Sequence, residues 1–283
     1  MNKVNVIKKI LPFTLILPSF LVMLFLYLYP FALSILKSFM DDQGRFTLKY
    51  YEEAFSSYKQ DIFFSFWISL LSMFVSTFIA IILAAYLRLS NTPFKPIINS
   101  IYRFPLFIPM VVVAQMMRTF LAPHGLLNLM LLQMGLINID YPPWFFDWKG
   151  MLIGFVWKQT PFMVLIILGG FQMIDDSLIE AARCVGANIF KMLVNIMLPL
   201  ARASIAIAMI LIFASNISTF TLPYMLIGGA TPTTITVDIA HRVTYFGDWG
   251  TANALGVVSY LMVGAFAIYY LREVVRRSVY VQE

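Results

Sequence analysis

The chain has 283 residues, 60% of them hydrophobic and 12% charged, with a net charge of +6. A soluble domain carries about twice that charged share, so these proportions exclude one and mark an integral membrane protein. The single cysteine, Cys184, excludes an internal disulfide and a cysteine-rich metal site, and neither a Gly-rich phosphate loop nor an H-E-x-x-H is present to support ATP hydrolysis in this chain.

Crossing the hydrocarbon core takes about 20 apolar residues of helix. Residues 11–36 meet that length. Their basic lead (Lys3, Lys8, Lys9) resembles a signal peptide, but the apolar run exceeds an h-region and no small-x-small cleavage site follows. A retained first span, kinked near Pro30, is therefore expected. Residues 38–61 are polar, with FTLKYYEEAF reading as a short interfacial helix. A second span is expected at 62–87. The third apolar run, about 97–121, contains Pro105 and Pro109, each of which removes a backbone donor, so a kink is expected there. HGLLNLMLLQMG (124–135) is too short to cross and reads as re-entrant or interfacial. The aromatic cluster Tyr141, Trp144, Phe145, Phe146 and Trp148 suits a membrane–water boundary. Further spans are expected at 151–174, 201–227 and 251–271, with a Gly/Thr-rich loop between the last two.

Lys and Arg set the orientation. With the N-terminus in the cytoplasm, twelve of the twenty basic residues and five of the fourteen acids fall inside, a surplus of seven positive charges. The opposite orientation puts that surplus outside. Both termini are then cytoplasmic, and the basic excess is a topology signal that gives no reason to invoke nucleic acid.

This orientation also places the most punctuated polar stretch of the chain, SLIEAARCVGANIFKMLVNIMLP (177–199), in the cytoplasm between the fourth and fifth spans. Ser177 and Glu180 have capping-box spacing, preceded by Asp175 and Asp176 where a helix N-terminus favours negative charge. Gly186 reads as a stop or left-handed turn and Asn188 as the cap of a second short helix ending at Pro199. Cys184, in the middle, reads as a small packing residue.

The pattern E-A-A-x3-G-x9-I-x-L-P, met at Glu180, Ala181, Ala182, Gly186, Ile196, Leu198 and Pro199, resembles the EAA motif of binding-protein-dependent ABC importer permeases. Tyr29-Pro30 to Ser38, Gly125-Leu-Leu-Asn128 and Asp248-Trp-Gly250 are similar to further family patterns, so the likeness covers most of the chain. It implies the type I importer permease fold: an all-α integral membrane protein with six transmembrane helices in a single permease domain. In that domain residues 1–60 supply the first span and outer loop, and 61–283 a core with a coupling loop at 175–199. The resemblance further implies a multi-pass protein of the bacterial cytoplasmic membrane that is not itself an enzyme. Its partners would be membrane lipid, a second and different permease, two ATP-binding subunits that carry the ATP and Mg, and an extracytoplasmic solute-binding protein. Glu180 would pair with a cation of the ATPase, Ala181 and Ala182 would let its surface approach, and Gly186 would make the loop project as a knob.

D-x-S-L-x-E-A-A at Asp175–Ala182 leans toward the polyamine-, phosphonate- and iron-type branch, as do FTLKYYEEAF and LPYMLIGG. The GG-x-TP-x-T run (228–234) and Trp157-Lys158 are similar to sugar permeases, the alternative. The reading from a different class is a stand-alone secondary transporter or channel, but the sequence shows neither inverted repeats nor an intramembrane acidic relay.

Polar side chains inside spans tend to face a cavity or another helix. Lys158, about two turns into the fourth span, would cost about 2.5–3.5 kcal/mol in lipid, and either contacts solute or snorkels outward. Asn216, with Thr219 one turn on, lines either a solute path or a helix–helix contact. Gln115 and Gln159 are weaker solute-path candidates. No acid is expected within any span, so a cationic solute would find its countercharge elsewhere.

Overall fold

The computed structural model describes residues 14–138, 140–228 and 232–279, with side chains to Arg272. The N-terminal lysines, Gly229–Thr231 of the Gly/Thr-rich loop, and the side chains of Glu273, Arg276, Arg277 and Glu283 lie outside the described residues.

Among the described residues the chain is helical, with one isolated antiparallel bridge between Met40 and Phe46. The helices are α1 (Thr14–Ser38), α2 (Lys49–Ser57), α3 (Lys59–Leu89) and α4 (Lys95–Phe107, its last turn 3-10). There follow α5 (Met110–Phe120), α6 (Leu126–Gln133), α7 (Trp148–Gln172), α8 (Asp176–Cys184) and α9 (Ile189–Leu200). The last are α10 (Arg202–Ser218), α11 (Thr221–Ile227), α12 (Ile235–His241) and α13 (Trp249–Val279).

Four helices, α1, α3, α7 and α13, are long and apolar enough to cross a membrane, and two sharply bent pairs raise the number to six if each pair is one span. The first pair is α4 with α5, bent by 105° where Ile108 is extended and Pro109 follows. The expected kink in the third run is thus a full elbow. The second pair is α9 with α10, bent by 74°. Here the expectation of one run over 201–227 needs correcting. Helix α10 stops at Ser218, Thr219 is extended, and α11 is a separate turn of helix. The Thr219 hydroxyl returns to the Ser215 carbonyl and the Thr219 carbonyl is taken by the Thr236 hydroxyl, which uses up the groups that would continue the helix. In α1 the expected irregularity lies just before Pro30: residues Leu24–Leu28 form a π-turn, which accommodates the donor that proline lacks. The short helix expected in the polar stretch is α2.

By its contacts the chain divides into two compact units, residues 1–58 with 239–258, and residues 59–238 with 259–283. The first contains α1, α2 and the start of α13. The apolar side chains of α1 are almost all exposed, as lipid or another protein would require, and Ser34 donates to Asn253 at 2.8 Å.

The second unit holds the packed core. Helix α3 presents a stripe of small buried residues, Ser65, Ser69, Ser72, Ser76, Ala80 and Ala84, which lets neighbouring backbones come close. Helix α7 answers with glycines. A Cβ on Gly154 would lie 2.9 Å from the Leu222 side chain, and one on Gly170 would lie 2.6 Å from the Ser204 hydroxyl. Around this seam Met73, Met163, Ile167, Phe171, Ile212 and Phe213 form one cluster, and Ile68, Val113, Leu121, Phe155 and Leu222 another. In lipid such packing gains dispersion contact, since apolar surface is already satisfied there.

Candidate functional site

Helix α8 begins at Asp175, whose carboxylate accepts the Ser177 N–H at 2.8 Å. The expected Ser177–Glu180 capping box is therefore replaced by an Asp cap two residues earlier, which leaves the Glu180 side chain exposed. The Ser177 hydrogen bonds hold the Asp175 carboxyl below its ordinary value. The helix ends as the sequence predicts. Gly186 has φ +77°, Ala187 N–H donates to Ala182 O and Gly186 N–H to Arg183 O, both at 2.9 Å, the double closure of a Schellman turn. Asn188 then caps α9 by accepting the Lys191 N–H at 2.8 Å. Pro199 does not end this helix. A π-turn at Leu193–Met197 absorbs its missing donor, and the break falls after Leu200.

The segment projects a mixed surface. Val185 is 84% exposed and Phe190 71%, and Glu180, Ala181, Gly186 and Ile189 are exposed beside them. Ala182 turns the other way and packs with Ile179 into the core, so its small size serves internal packing. Cys184 is exposed, which corrects the reading of it as a packing residue.

Two arginines tie this surface to the core, and neither carries a local sequence signal. Arg88, at the end of α3, donates to Phe171 O at 3.0 Å and Ile174 O at 2.9 Å, carbonyls at and just past the end of α7, and pairs with Asp176 at 2.6 Å. Arg183, on α8, donates back to Leu89 O at 3.1 Å. Their partners lie 83 to 94 residues away, beyond the reach of any spacing rule.

The polar residues within the spans are largely engaged inside the protein. Lys158 donates to Pro105 O at 2.8 Å and Ile108 O at 2.7 Å, with Leu106 O at 3.5 Å. All three carbonyls belong to the bend between α4 and α5, and Lys158 is half-buried against them. Gln159 donates to Ser215 Oγ at 2.9 Å and Asn216 Oδ1 at 3.2 Å, and Asn216 donates to Ser72 Oγ at 2.9 Å. This chain of hydrogen bonds joins α7, α10 and α3 and is buried. Thr219 lies past the end of α10, so it does not share a helical face with Asn216. Gln115 is exposed on α5, on the wall of a groove of about 1010 Å³ that also includes Val112, Thr119, Phe120 and His124. Ser215 and Ser218 are exposed on α10, followed by the stacked rings of Phe220 and Tyr224, 4.9 Å apart.

The loop after α11 is pinned by the start of α3. Asp61, 3% exposed, accepts the Thr233 N–H and Ser65 Oγ the Ile235 N–H, both at 2.8 Å. In the first unit, Arg242 pairs with Glu53 at 2.6 Å and with Asp248 at 3.2 Å, and its guanidinium stacks on the rings of Tyr58 and Phe246. Burial opposes ionisation of Asp248, but hydrogen bonds from Thr251 and the charges of Arg242 and Lys49 outweigh it, so its carboxyl stays below the ordinary value. Gly250 is required beside it: a Cβ there would stand 2.1 Å from the Tyr50 ring.

Comparison with known proteins agrees with the family resemblance of the sequence. The sulfoquinovosyl glycerol transport system permease protein SmoG of Agrobacterium fabrum is 36% identical over 141 residues, 49% of this chain and 45% of that protein. The trehalose/maltose transport system permease protein MalF of Thermococcus litoralis is 29% identical over 191 residues, 63% of this chain and 62% of that protein. The chain thus spans about half to three-fifths of the length of these two curated relatives. The spermidine/putrescine transport system permease protein PotB of Haemophilus influenzae is 24% identical over 267 residues, 91% of this chain and 92% of that protein. Among solved structures, a chain of a bacterial ABC transporter for import of the acidic polysaccharide alginate superposes with a TM-score of 0.77 at 21% identity, covering 96% of this chain and 98% of that one, which shows the fold. The family model of the binding-protein-dependent transport system inner membrane component matches residues 76–279, from the middle of α3 to the end of α13, and the chain belongs to that family.

Proposed function

We propose that this chain is the permease subunit of an ATP-driven importer for a sugar or oligosaccharide, and that it forms one half of the translocation path. It crosses the cytoplasmic membrane six times, counting each bent pair as one span, with both termini inside. A second permease supplies the other half. Two ATP-binding subunits, which carry the ATP and Mg, dock on the surface formed by Glu180, Ala181, Val185, Gly186 and Phe190. An extracytoplasmic solute-binding protein delivers the cargo. The chain itself performs no chemistry.

The observation that carries this reading is the projecting segment itself. A helix–turn–helix that exposes Val185 and Phe190 side by side needs a partner to cover them. Its arginine ties to the ends of α3 and α7 mean that moving the knob moves two core helices. Packed cores do not absorb such a displacement by continuous bending, so the spans swing between discrete arrangements.

The sugar class replaces the polyamine class favoured by the sequence patterns. The two relatives of higher identity carry sugar-type names, while the polyamine permease is the less identical one. A polyamine solute is the second reading, because that relative aligns over 91% of the chain. The solute-facing residues proposed are Gln115 and Thr219 with the exposed Ser215 and Ser218; Lys158, Gln159 and Asn216 serve internal structure. Family membership sets aside a stand-alone transporter or channel.

Co-expression with its neighbouring genes and purification in mild detergent tests the assembly: an ATPase should accompany the chain, and Glu180→Lys should remove it while leaving the chain folded. Uptake without ATP, or full uptake in Glu180→Lys, contradicts the proposal. A ligand screen on the solute-binding protein decides between sugar and polyamine.

A further inference from the structure

We propose that Lys158 is the positioning residue of the α4–α5 elbow, its ammonium standing in for backbone donors that the sequence removes there, so that transport depends on Lys158 through the elbow and not through contact with solute.

The argument begins with the prolines. In a continuous helix the N–H of residue 109 would donate to the carbonyl of residue 105. Pro109 has no N–H, and the Ile108 N–H reaches Pro105 O only at 3.4 Å. Ile108 itself is extended (ψ 123°), which takes its carbonyl out of any helical ladder. Two carbonyls are thus left without good backbone donors in a segment at membrane depth, where irregular backbone persists only if something within the protein satisfies it. Lys158 Nζ lies 2.8 Å from the first and 2.7 Å from the second, with Leu106 O at 3.5 Å. An ammonium has three donors and no acceptor, and here all three directions are taken. Its charge also lies at the carbonyl end of α4, where a cation is favoured.

The position of Lys158 on α7 gives the contact its consequence. The next residue, Gln159, ties the same helix to α10 and, through Asn216, to α3. The far end of α7 is held by Arg88, which also pairs with Asp176 of the coupling segment. One helix therefore carries the elbow at Lys158 and the coupling surface at its end. The elbow's angle is set from the rod that the coupling segment would move.

The test uses the full chain assembled with its importer partners in lipid nanodiscs, with Cys184→Ser to clear the background. Spin labels at the exposed positions Ile101 and Val112 flank the elbow and report its angle as a distance. Lys158→Met keeps length and removes the donors; Lys158→Arg keeps donors. For Lys158→Met the distance distribution should broaden and uptake fall roughly tenfold, with the KM for solute-loaded binding protein within about twofold of wild type, as expected for loss of the partners of two part-buried acceptors. Lys158→Arg should retain a distribution near wild type. An unchanged distribution in Lys158→Met overturns the proposal, as does a raised KM with an unchanged elbow, the signature of a solute contact. A broadened elbow with full uptake overturns its transport half. If Lys158→Met does not assemble, Lys158→Gln, which keeps two donors, supplies the same distance readout. The distance measurement does not depend on the solute being a sugar, so its failure and that of the substrate reading are distinguishable.

Discussion

The coupling segment and the polar residues of the spans are built on opposite terms. In the coupling segment the bonds that cap and turn the helices are local, Asp175 with Ser177, Gly186 with Arg183 and Asn188 with Lys191, and only the Arg88 and Arg183 ties reach far along the chain. In the spans the bonds that matter are distant: Lys158 to Ile108, Gln159 to Asn216, Asn216 to Ser72, Asp61 to Thr233. Local bonds leave the side chains of Glu180, Val185 and Phe190 free to face a partner. Distant bonds engage the polar groups of the spans with one another and with the backbone. The first region is shaped to be touched from outside, and the second to hold the helices in place.

The sharpest way to break this contrast is at its joint. Arg88→Ala removes three acceptors' partners at once and should destabilise the junction by roughly 2–3 kcal/mol, since hydrogen bonds to charged groups are the stronger kind. Protease cleavage between residues 173 and 188 should accelerate, and uptake should fall even though Arg88 lies outside the docking surface. Unchanged cleavage would separate the knob from the core helices.

Next in size is the buried network. Asn216→Val should lower thermal stability in detergent by about 1–2 kcal/mol, the range of interhelical hydrogen bonds in membranes, while leaving the relative uptake of competing solutes unchanged. Altered selectivity would return Asn216 to the solute path. Of similar size but local in reach is Gly186→Ala, which places a Cβ at φ +77° and should weaken the Schellman turn by about 1–2 kcal/mol. Its effect should appear in ATPase association and not in global unfolding.

The smallest effect is a pH dependence. The Asp175 carboxyl is depressed, chiefly by the Ser177 backbone N–H, so its cap is fully present above the ordinary Asp range and is lost as pH falls through the depressed value. Amide exchange at Ser177 should therefore be flat across neutral and mildly acid pH and rise only in strong acid; a rise near neutrality would mean that another group caps the helix.

Much of this molecule is readable without coordinates. The spans at 62–87, 151–174 and 251–271 follow from apolar length alone, and the turn at Gly186 and the cap at Asn188 follow from residue chemistry at fixed offsets. What fails to read does so for two reasons. Competing local caps are nearly equal in strength, so Asp175 could displace Ser177 without a visible signal. Polar residues in apolar runs announce that they are satisfied but not by whom: Lys158 looks the same whether it faces solute, headgroups or the Ile108 carbonyl. The same ambiguity hid Arg88 and Asp61, whose neighbours in sequence say nothing of Phe171 or Thr233. The break of α10 at Thr219 falls in a polar stretch, Ser215 to Thr221, but the apolar residues on either side give 201–227 the length of one span and mask it.

The central claim is that residues 175–200 face the cytoplasm and are covered by the ATP-binding subunits. Cys184, the chain's single cysteine and exposed on that surface, is a built-in reporter. In inverted membrane vesicles a membrane-impermeant maleimide should label Cys184 rapidly when the chain is made without the ATPase and slowly when the whole importer is assembled. Equal labelling in both, or labelling only in right-side-out vesicles, would contradict the account.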